Sequence, residues 1–310
     1  MGSTRNTSYY EIVTGPDWAG AETAANSLGG NLVTINNSSE SDYIKSTYMA
    51  NAANAYYIGL NSAASQGNWV WTSGETSDYS NWAPGTPNNQ PSERYSIIGI
   101  ITGWWDDWTN QQGNVTQGIA EVPLSYFSVS DLTVDEGDSG SITISRTGGS
   151  LSTQSLTVTS SNGTASNSDY SAVNSTISFA SGETSKTIAF NSTEDTSVEN
   201  DETVNISIEA SGSDDVPAQI TRGTATITIA NDDQPTYSIT PSVSSSNEGG
   251  EFRTNVSTSG VDAGASLYWT LSGSGIDAND FSTGDLKGSG VVQSDGTITF
   301  AHTLAKDLNT

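Results

Sequence analysis

Seven acidic residues, Glu136, Asp169, Asp195, Glu199, Glu202, Asp232 and Asp233, are scattered along the middle of the chain, yet each falls at the end of an alternating apolar stretch or in the turn beside it. In a sandwich of antiparallel strands the loops gather at two ends, so several of these carboxylates are expected to meet at one tip. Clustered carboxylates repel one another unless cations sit between them, and calcium accepts roughly 6 to 8 such oxygens. The same residues equally describe the solvated loop tips of a very acidic protein. A second group lies nearer the N-terminus: Asn81-Trp82-Ala83-Pro84-Gly85-Thr86-Pro87-Asn88-Asn89, then Glu93, then Trp105-Asp106-Asp107. Asn88, Glu93, Asp106 and Asp107 are hard oxygen donors, and Pro87, if cis, sets the direction of the amide that follows. Calcium held this way keeps positions that vicinal sugar hydroxyls can fill. Here too the plain alternative is a surface turn with solvated acids.

Composition narrows the chemistry. The chain has 310 residues, a net charge of -26, no cysteine and one histidine, His302. Disulfides, thiolate zinc sites, iron-sulfur clusters and cysteine nucleophiles are excluded, and a Ser/His/Asp triad would have to recruit His302, near the end of the chain. His302 lies in an alternating stretch and reads as a packed or surface residue. Adjacent acids such as Asp106 and Asp107 do not face each other across a cleft as a glycosidase pair must. A binding protein, not an enzyme, is expected. Nine Lys and Arg against 35 Asp and Glu repel phosphate backbones, so neither nucleic acid nor an anionic membrane surface is an expected partner, whereas cations are. No stretch is long and apolar enough for membrane insertion. Met1 to Ser8 lack the apolar core of a signal peptide, so the chain is expected to be a fragment or to be secreted by a route not visible in it. The 8 Trp, 12 Tyr and 6 Phe argue for a folded chain rather than an acidic disordered one.

The elements that must position these residues follow from periodicity. All tryptophans but Trp269 lie before residue 124, which marks a domain boundary and divides the chain into 1–124, 125–235 and 236–310. The middle part carries 16 acids against 3 bases. Asp17 precedes a helix over Trp18 to Leu28, stopped by Gly29-Gly30, and Asn37-Ser38-Ser39-Glu40 resembles a capping box for a second helix to about Met49. Short strands are expected at Tyr56 to Leu60, Asn68 to Trp71, Tyr95 to Ile101 and Gly118 to Val122, with a long loop between Thr72 and Glu93. The second and third parts repeat: Tyr126-Phe127-Ser128-Val129, Asp135-Glu136-Gly137, Ser168-Asp169-Tyr170, Ile177-Ser178-Phe179 and Lys186 to Phe190 match Tyr237-Ser238-Ile239, Asn247-Glu248-Gly249, Asn279-Asp280-Phe281, Ile298-Thr299-Phe300 and Ala301-His302-Thr303. The last repeat lacks its final strands and is expected to leave an unpaired sheet edge.

Residues 8–124 resemble a C-type lectin-like domain through Leu28-Gly29-Gly30-Asn31-Leu32-Val33-Thr34-Ile35, Tyr57-Ile58-Gly59-Leu60, Trp69-Val70-Trp71, Asn81-Trp82, Pro87-Asn88 and Trp105-Asp106-Asp107. The resemblance implies an α+β fold with calcium and a sugar held by Asn88, Glu93, Asp106 and Asp107. Thr86 stands where the family has Glu or Gln, and Asp106 replaces Asn. With the family's disulfides absent, buried tryptophans must stabilise the domain. Residues 126–234 resemble the Calx-beta domain, an immunoglobulin-like β-sandwich, through Val134-Asp135-Glu136-Gly137, Gly163-Thr164-Ala165, Asp169-Tyr170, Gly182-Glu183, Asp195, Glu199-Asn200-Asp201-Glu202 and Asn231-Asp232-Asp233. This implies calcium at Glu136, Asp169, Asp195, Glu199, Glu202, Asp232 and Asp233, with the Ser197 carbonyl as a further ligand. Asn231 and Glu194 stand where calcium-sensing exchangers have Asp, which implies fewer or weaker ions. In residues 236–310 the same pattern places Glu248, Asp280 and Asp307 in an incomplete site. The whole resembles bacterial surface or secreted adhesive proteins: a mostly β, multidomain, extracellular or cell-surface chain that binds calcium together with a glycan or surface protein. The alternatives are a structural stalk without ligand or an appendage of a secreted hydrolase.

Overall fold

The computed structural model describes residues 2–49, 55–99, 103–110 and 115–306. In the first part, α1 (Trp18–Ser27) and α2 (Ser38–Tyr48) pack on a sheet of eight strands. Asp17 caps α1 by accepting the Gly20 amide at 2.8 Å. Gly29, at φ 90°, leaves that helix through the left-handed region that glycine tolerates. Asn37 caps α2 by accepting the Glu40 amide at 2.9 Å. Glu40 reaches back to the Asn36 amide at 2.8 Å, one residue before the cap, so the expected reciprocal box is displaced by one position.

The sheet runs β1 (Ser3–Arg5), β2 (Ser8–Thr14), β8 (Gln117–Pro123), β4 (Tyr56–Asn61), β6 (Tyr95–Ile98), β7 (Trp105–Trp108), with β3 (Asn31–Leu32) on β8 and β5 (Val70–Trp71) on β4. Periodicity alone misses β2 because both of its faces are covered. Tyr10 packs with Val33, Ile35 and Trp105, while Tyr9 packs with Val122, Leu124 and Val216, so no apolar-polar alternation shows. Trp71, Trp105, Ile58 and Ile98 sit in the main core, where a domain without cysteine must draw its stability from apolar burial.

The second part is a two-sheet sandwich. One sheet runs β10 (Leu132–Asp135), β17 (Thr224–Ala230), β15 (Glu202–Ala210), β12 (Gln154–Asn162), β13 (Asn174–Phe179); the other runs β14 (Ser185–Asn191), β11 (Ser139–Gly148), β9 (Ser125–Val129), β16 (Gln219–Arg222). Alternation is clean here: Ala225, Ile227 and Ile229 of β17 face inward, as do Val204, Ile206 and Ile208 of β15. A cation is buried with them. Arg146 donates to Ser125 Oγ at 2.8 Å, the Ser152 carbonyl at 2.7 Å and Gln154 Oε1 at 3.1 Å, a set of neutral acceptors.

The third part holds one sheet, β18 (Thr236–Pro241), β19 (Glu251–Ser259), β23 (Thr297–Leu304), β21 (Phe281–Thr283), and a pair, β20 (Ser266–Thr270) with β22 (Lys287–Val291). The repeat is visible in the pairing, since β19 lies between β18 and β23 as β11 lies between β9 and β14. The sequence alignment of the repeats needs one correction. Ile298-Thr299-Phe300 and Ala301-His302-Thr303 belong to one strand, β23, which pairs as β14 does, and the counterpart of β13 is β22, which pairs with β20 as β13 pairs with β12. A run of two short apolar motifs reads as two strands when nothing marks the missing turn. Ile239 and Tyr268 are largely exposed in this part.

Candidate functional site

Topology explains why distant acids meet at one tip of the sandwich. Strand β10 runs parallel to β17, so Glu136, just past β10, and Asn231-Asp232-Asp233, just past β17, emerge at the same end. Strand β15 is antiparallel to β17 and begins there with Glu202, and the preceding loop carries Asp195, Ser197 and Glu199. Strand β12 ends there too, sending out the loop with Asp169.

Carboxylate oxygens of Glu136, Asp195 and Glu199 lie within 4.8 Å of one another. Burial first, and then the charges of Asp195, Glu199, Asp233 and Glu194, push the Glu136 carboxyl up to about 7. Glu202 is also pushed up to about 7, by burial and then by its hydrogen bond to Asp169 and the charge of that group. Asp169 moves the other way, held below its ordinary range chiefly by the Ser166 amide at 2.6 Å. Asp233 Oδ2 is shielded from solvent without a hydrogen-bond partner among the described residues. The Ser197 amide donates to Asp195 Oδ1 at 2.6 Å. Asp232 is exposed and lies outside the three-carboxylate group.

Asn231, which the sequence marks only as a departure from Asp, fastens this tip. Its Oδ1 accepts the Glu199 amide at 3.2 Å, its own amide donates to Asp201 Oδ1 at 3.2 Å, and its Nδ2 donates to the Asp233 carbonyl at 3.2 Å. Two carboxyls raised by burial and by neighbouring acids, beside the shielded Asp233 oxygen, form a donor set that suits a hard divalent cation. It is the one such three-acid group among the described residues.

The turn in the first part is differently employed. The Thr86-Pro87 bond is cis. Thr86 Oγ1 donates to the Ala83 carbonyl at 2.9 Å and to the Trp105 carbonyl at 3.2 Å. Asp107, 2% exposed, accepts the amides of Asn88 at 3.0 Å and Asn89 at 2.7 Å on its two oxygens. Asn88 Oδ1 accepts the Gln90 amide at 3.1 Å. Asp106 alternates to the other face of β7, and its carboxyl is raised by burial and then by the charge of Asp107. Glu93 Oε2 is shielded and has no hydrogen-bond partner among the described residues. Asn88 and Asp107 are thus brought together, as amide and acceptor, whereas Glu93, Asp106 and Asp107 form no three-carboxylate group. Asn89, in the same run but with no role marked by its sequence, accepts the Trp69 indole at 3.1 Å through Oδ1 and Gln66 Nε2 at 2.7 Å through its carbonyl.

In the third part Asp280 accepts the Asp277 amide at 2.7 Å, Glu248 is exposed, and Asp307 lies outside the described residues. His302 is buried against Phe252, with Nε2 3.1 Å from the Asp285 carbonyl, a packing role.

Comparison with known proteins agrees with this architecture. The Lectin C-type domain family model matches residues 15–117, and the Calx-beta domain family model matches residues 119–233. The chain carries a C-type lectin domain followed by a Calx-beta domain. Lectin BRA-3 of Megabalanus rosa is 32% identical over 94 residues, 29% of this chain and 56% of its own. Galactose-specific lectin nattectin of Thalassophryne nattereri is 31% identical over 94 residues, 29% of this chain and 59% of its own. The chain thus spans little more than half the length of these curated relatives. Among solved structures, the apo-form Calx CBD1 domain is 22% identical, with a TM-score of 0.33, over 36% of this chain and 99% of that one.

Proposed function

We propose that this is an extracellular binding protein whose lectin domain takes a glycan and whose Calx-beta sandwich takes calcium, with units dividing near residues 124 and 235. One observation carries the calcium reading: Glu136, from the turn after β10, and Asp195 and Glu199, from the loop before β15, bring carboxylate oxygens within 4.8 Å of one another. These three and Asp233 would hold the ion, with Asp169 and Glu202 behind them and the Ser197 carbonyl and Asp232 at the rim. Calcium supplies positive charge that offsets the burial and neighbouring acids raising Glu136 and Glu202, and so locks the tip. The sandwich then serves as a stiffened spacer.

The glycan reading rests on the lectin domain and on the names of its relatives. Asn88, Glu93, Asp106 and Asp107 frame the turn where the family pattern puts calcium and sugar, but the Thr86 hydroxyl, Asn88 Oδ1 and both Asp107 oxygens already bond within the domain. This favours a turn that keeps its shape without an ion. No helix among the described residues is long and apolar enough to cross a membrane. Isothermal titration of the chelator-treated chain with calcium tests the proposal: heat of binding that disappears on Glu136→Gln supports it, and no heat in the wild type refutes it.

A further inference from the structure

The lectin domain has a cleft of about 560 Å³ beside the turn, between β5, the segment 74–82 and Trp105. Its walls are Trp69, Trp71, Tyr79, Trp82 and Trp105, and its rim includes Glu75, Thr76 and Ser80. The rings hold one another edge to face: Trp69 and Trp82 have centroids 5.0 Å apart at 64°, Tyr79 and Trp105 5.7 Å apart at 79°, and Trp71 and Trp105 5.4 Å apart at 88°. Such contacts lock the rings in place, and the Trp69 indole is further anchored on Asn89 Oδ1 at 3.1 Å. Trp69, Tyr79 and Trp82 stay only partly buried. Trp105 is 1% exposed, and its indole N–H has no acceptor among the described residues.

We propose that this cleft is a glycan subsite that works without calcium and takes a neutral hexose. The inference rests on the glycan reading above and says where the sugar sits. Concave, largely apolar sites of 300 to 1,000 Å³ suit small ligands rather than helices or protein faces. Fixed aromatic walls match the C–H face of a pyranose, and the Thr76 and Ser80 hydroxyls match its hydroxyl groups. Charge selects among sugars. Glu75 lies at the rim and residues 1–124 carry 11 acids against 3 bases, so a sialylated or sulfated glycan is repelled. Glu75 is the lone carboxylate of the lining and already accepts Asn36 Nδ2 at 2.9 Å, so the cleft holds no calcium cage.

The test is a glycan array probed with the full chain in calcium and in chelator, using wild type, Trp82→Leu and Thr76→Arg. Thr76 is exposed, so its arginine blocks the cleft without opening the core, and an unchanged melting temperature verifies that. Neutral glycans should be retained equally in both buffers, retention should fall about tenfold or more in each variant, the equivalent of ~1.4 kcal/mol or more, and sialylated forms should give no signal. Retention that chelator abolishes, or that Thr76→Arg leaves intact, overturns the subsite while leaving the glycan reading standing. No retention of any glycan in either buffer overturns both.

Discussion

Asp107 and Asn89 are joined across the turn by a 2.7 Å bond from backbone amide to carboxylate, and the other Asp107 oxygen takes the Asn88 amide at 3.0 Å. A buried carboxylate that receives two amides is a fastening, whatever else it binds. Asp107→Asn keeps the shape but turns one acceptor into an amide N–H facing another donor. It should cost about 1.5 to 3 kcal/mol in urea unfolding. The loss should be equal in calcium and in chelator, whereas a loss seen only in calcium would mark Asp107 as an ion ligand first.

Calcium-free stability should fall as pH rises. Glu121, Glu136 and Glu202 all stand at about 7, against an ordinary 4.5. Each is an acid that the fold makes weaker, so between about pH 4.5 and 7 the folded chain holds protons that the unfolded chain releases, and that stabilisation is gone by about pH 8. For Glu121, raised by burial and then by the charge of Glu40, the full effect is roughly 3 kcal/mol. Melting curves from about pH 5 to about pH 8 in chelator should show the decline. Calcium should remove the share of Glu136 and Glu202 and leave that of Glu121, which Glu121→Gln should abolish. A melting temperature that climbs with pH in chelator would contradict the assignment.

Asn231 ties its own segment, through Asp233, to the loop carrying Glu199 and Asp201 at the acidic tip. Asn231→Ala should lower calcium-free stability by about 1 kcal/mol or more. Asn231→Asp keeps an acceptor for the Glu199 amide, adds a carboxylate, and loses the donor to Asp233. It should be less stable than the wild type in chelator and bind calcium more tightly. Calorimetry reads both, and unchanged affinity in Asn231→Asp would place Asn231 outside reach of the ion.

Arg146 is 2% exposed and bonds only neutral oxygens among the described partners. Arg146→Ala should destabilise the sandwich by about 3 kcal/mol or more, because the Ser152 and Gly149 carbonyls lose a buried donor. Arg146→Lys should recover only part of this, since an ammonium cannot span the same fork. Full recovery by lysine would show that charge, not geometry, is what the site requires.

The sandwich was legible because its central strands each have one buried face. Ala225, Ile227 and Ile229 alternate with threonines, and the acids fall where alternation stops. Periodicity alone does not say which acids converge, and only the family resemblance named the set, because convergence depends on β10 lying parallel to β17, a pairing across ninety-odd residues that no local pattern encodes. Asn231 shows the same limit: in sequence it is a lost ligand, in space a staple. In the lectin domain the tryptophans were legible as core. That Trp69, Tyr79 and Trp82 stop short of filling their space depends on the path of residues 74–82, where Gly74 takes φ 79° and side-chain periodicity carries no signal. Thr86 looked like a missing ligand and is a hydroxyl clasp on the Ala83 and Trp105 carbonyls.

The central claim, that calcium locks the tip at Glu136, Asp195 and Glu199, is tested most directly by thermal unfolding of the full chain and its Glu136→Gln variant, each with calcium and with chelator at about pH 8. In chelator the variant should melt above the wild type, because it removes a carboxylate crowded by Asp195 and Glu199. With calcium the wild type should rise above the variant, whose own melting should barely move. Identical wild-type melts with and without calcium, or an equal rise in both proteins, would contradict the account.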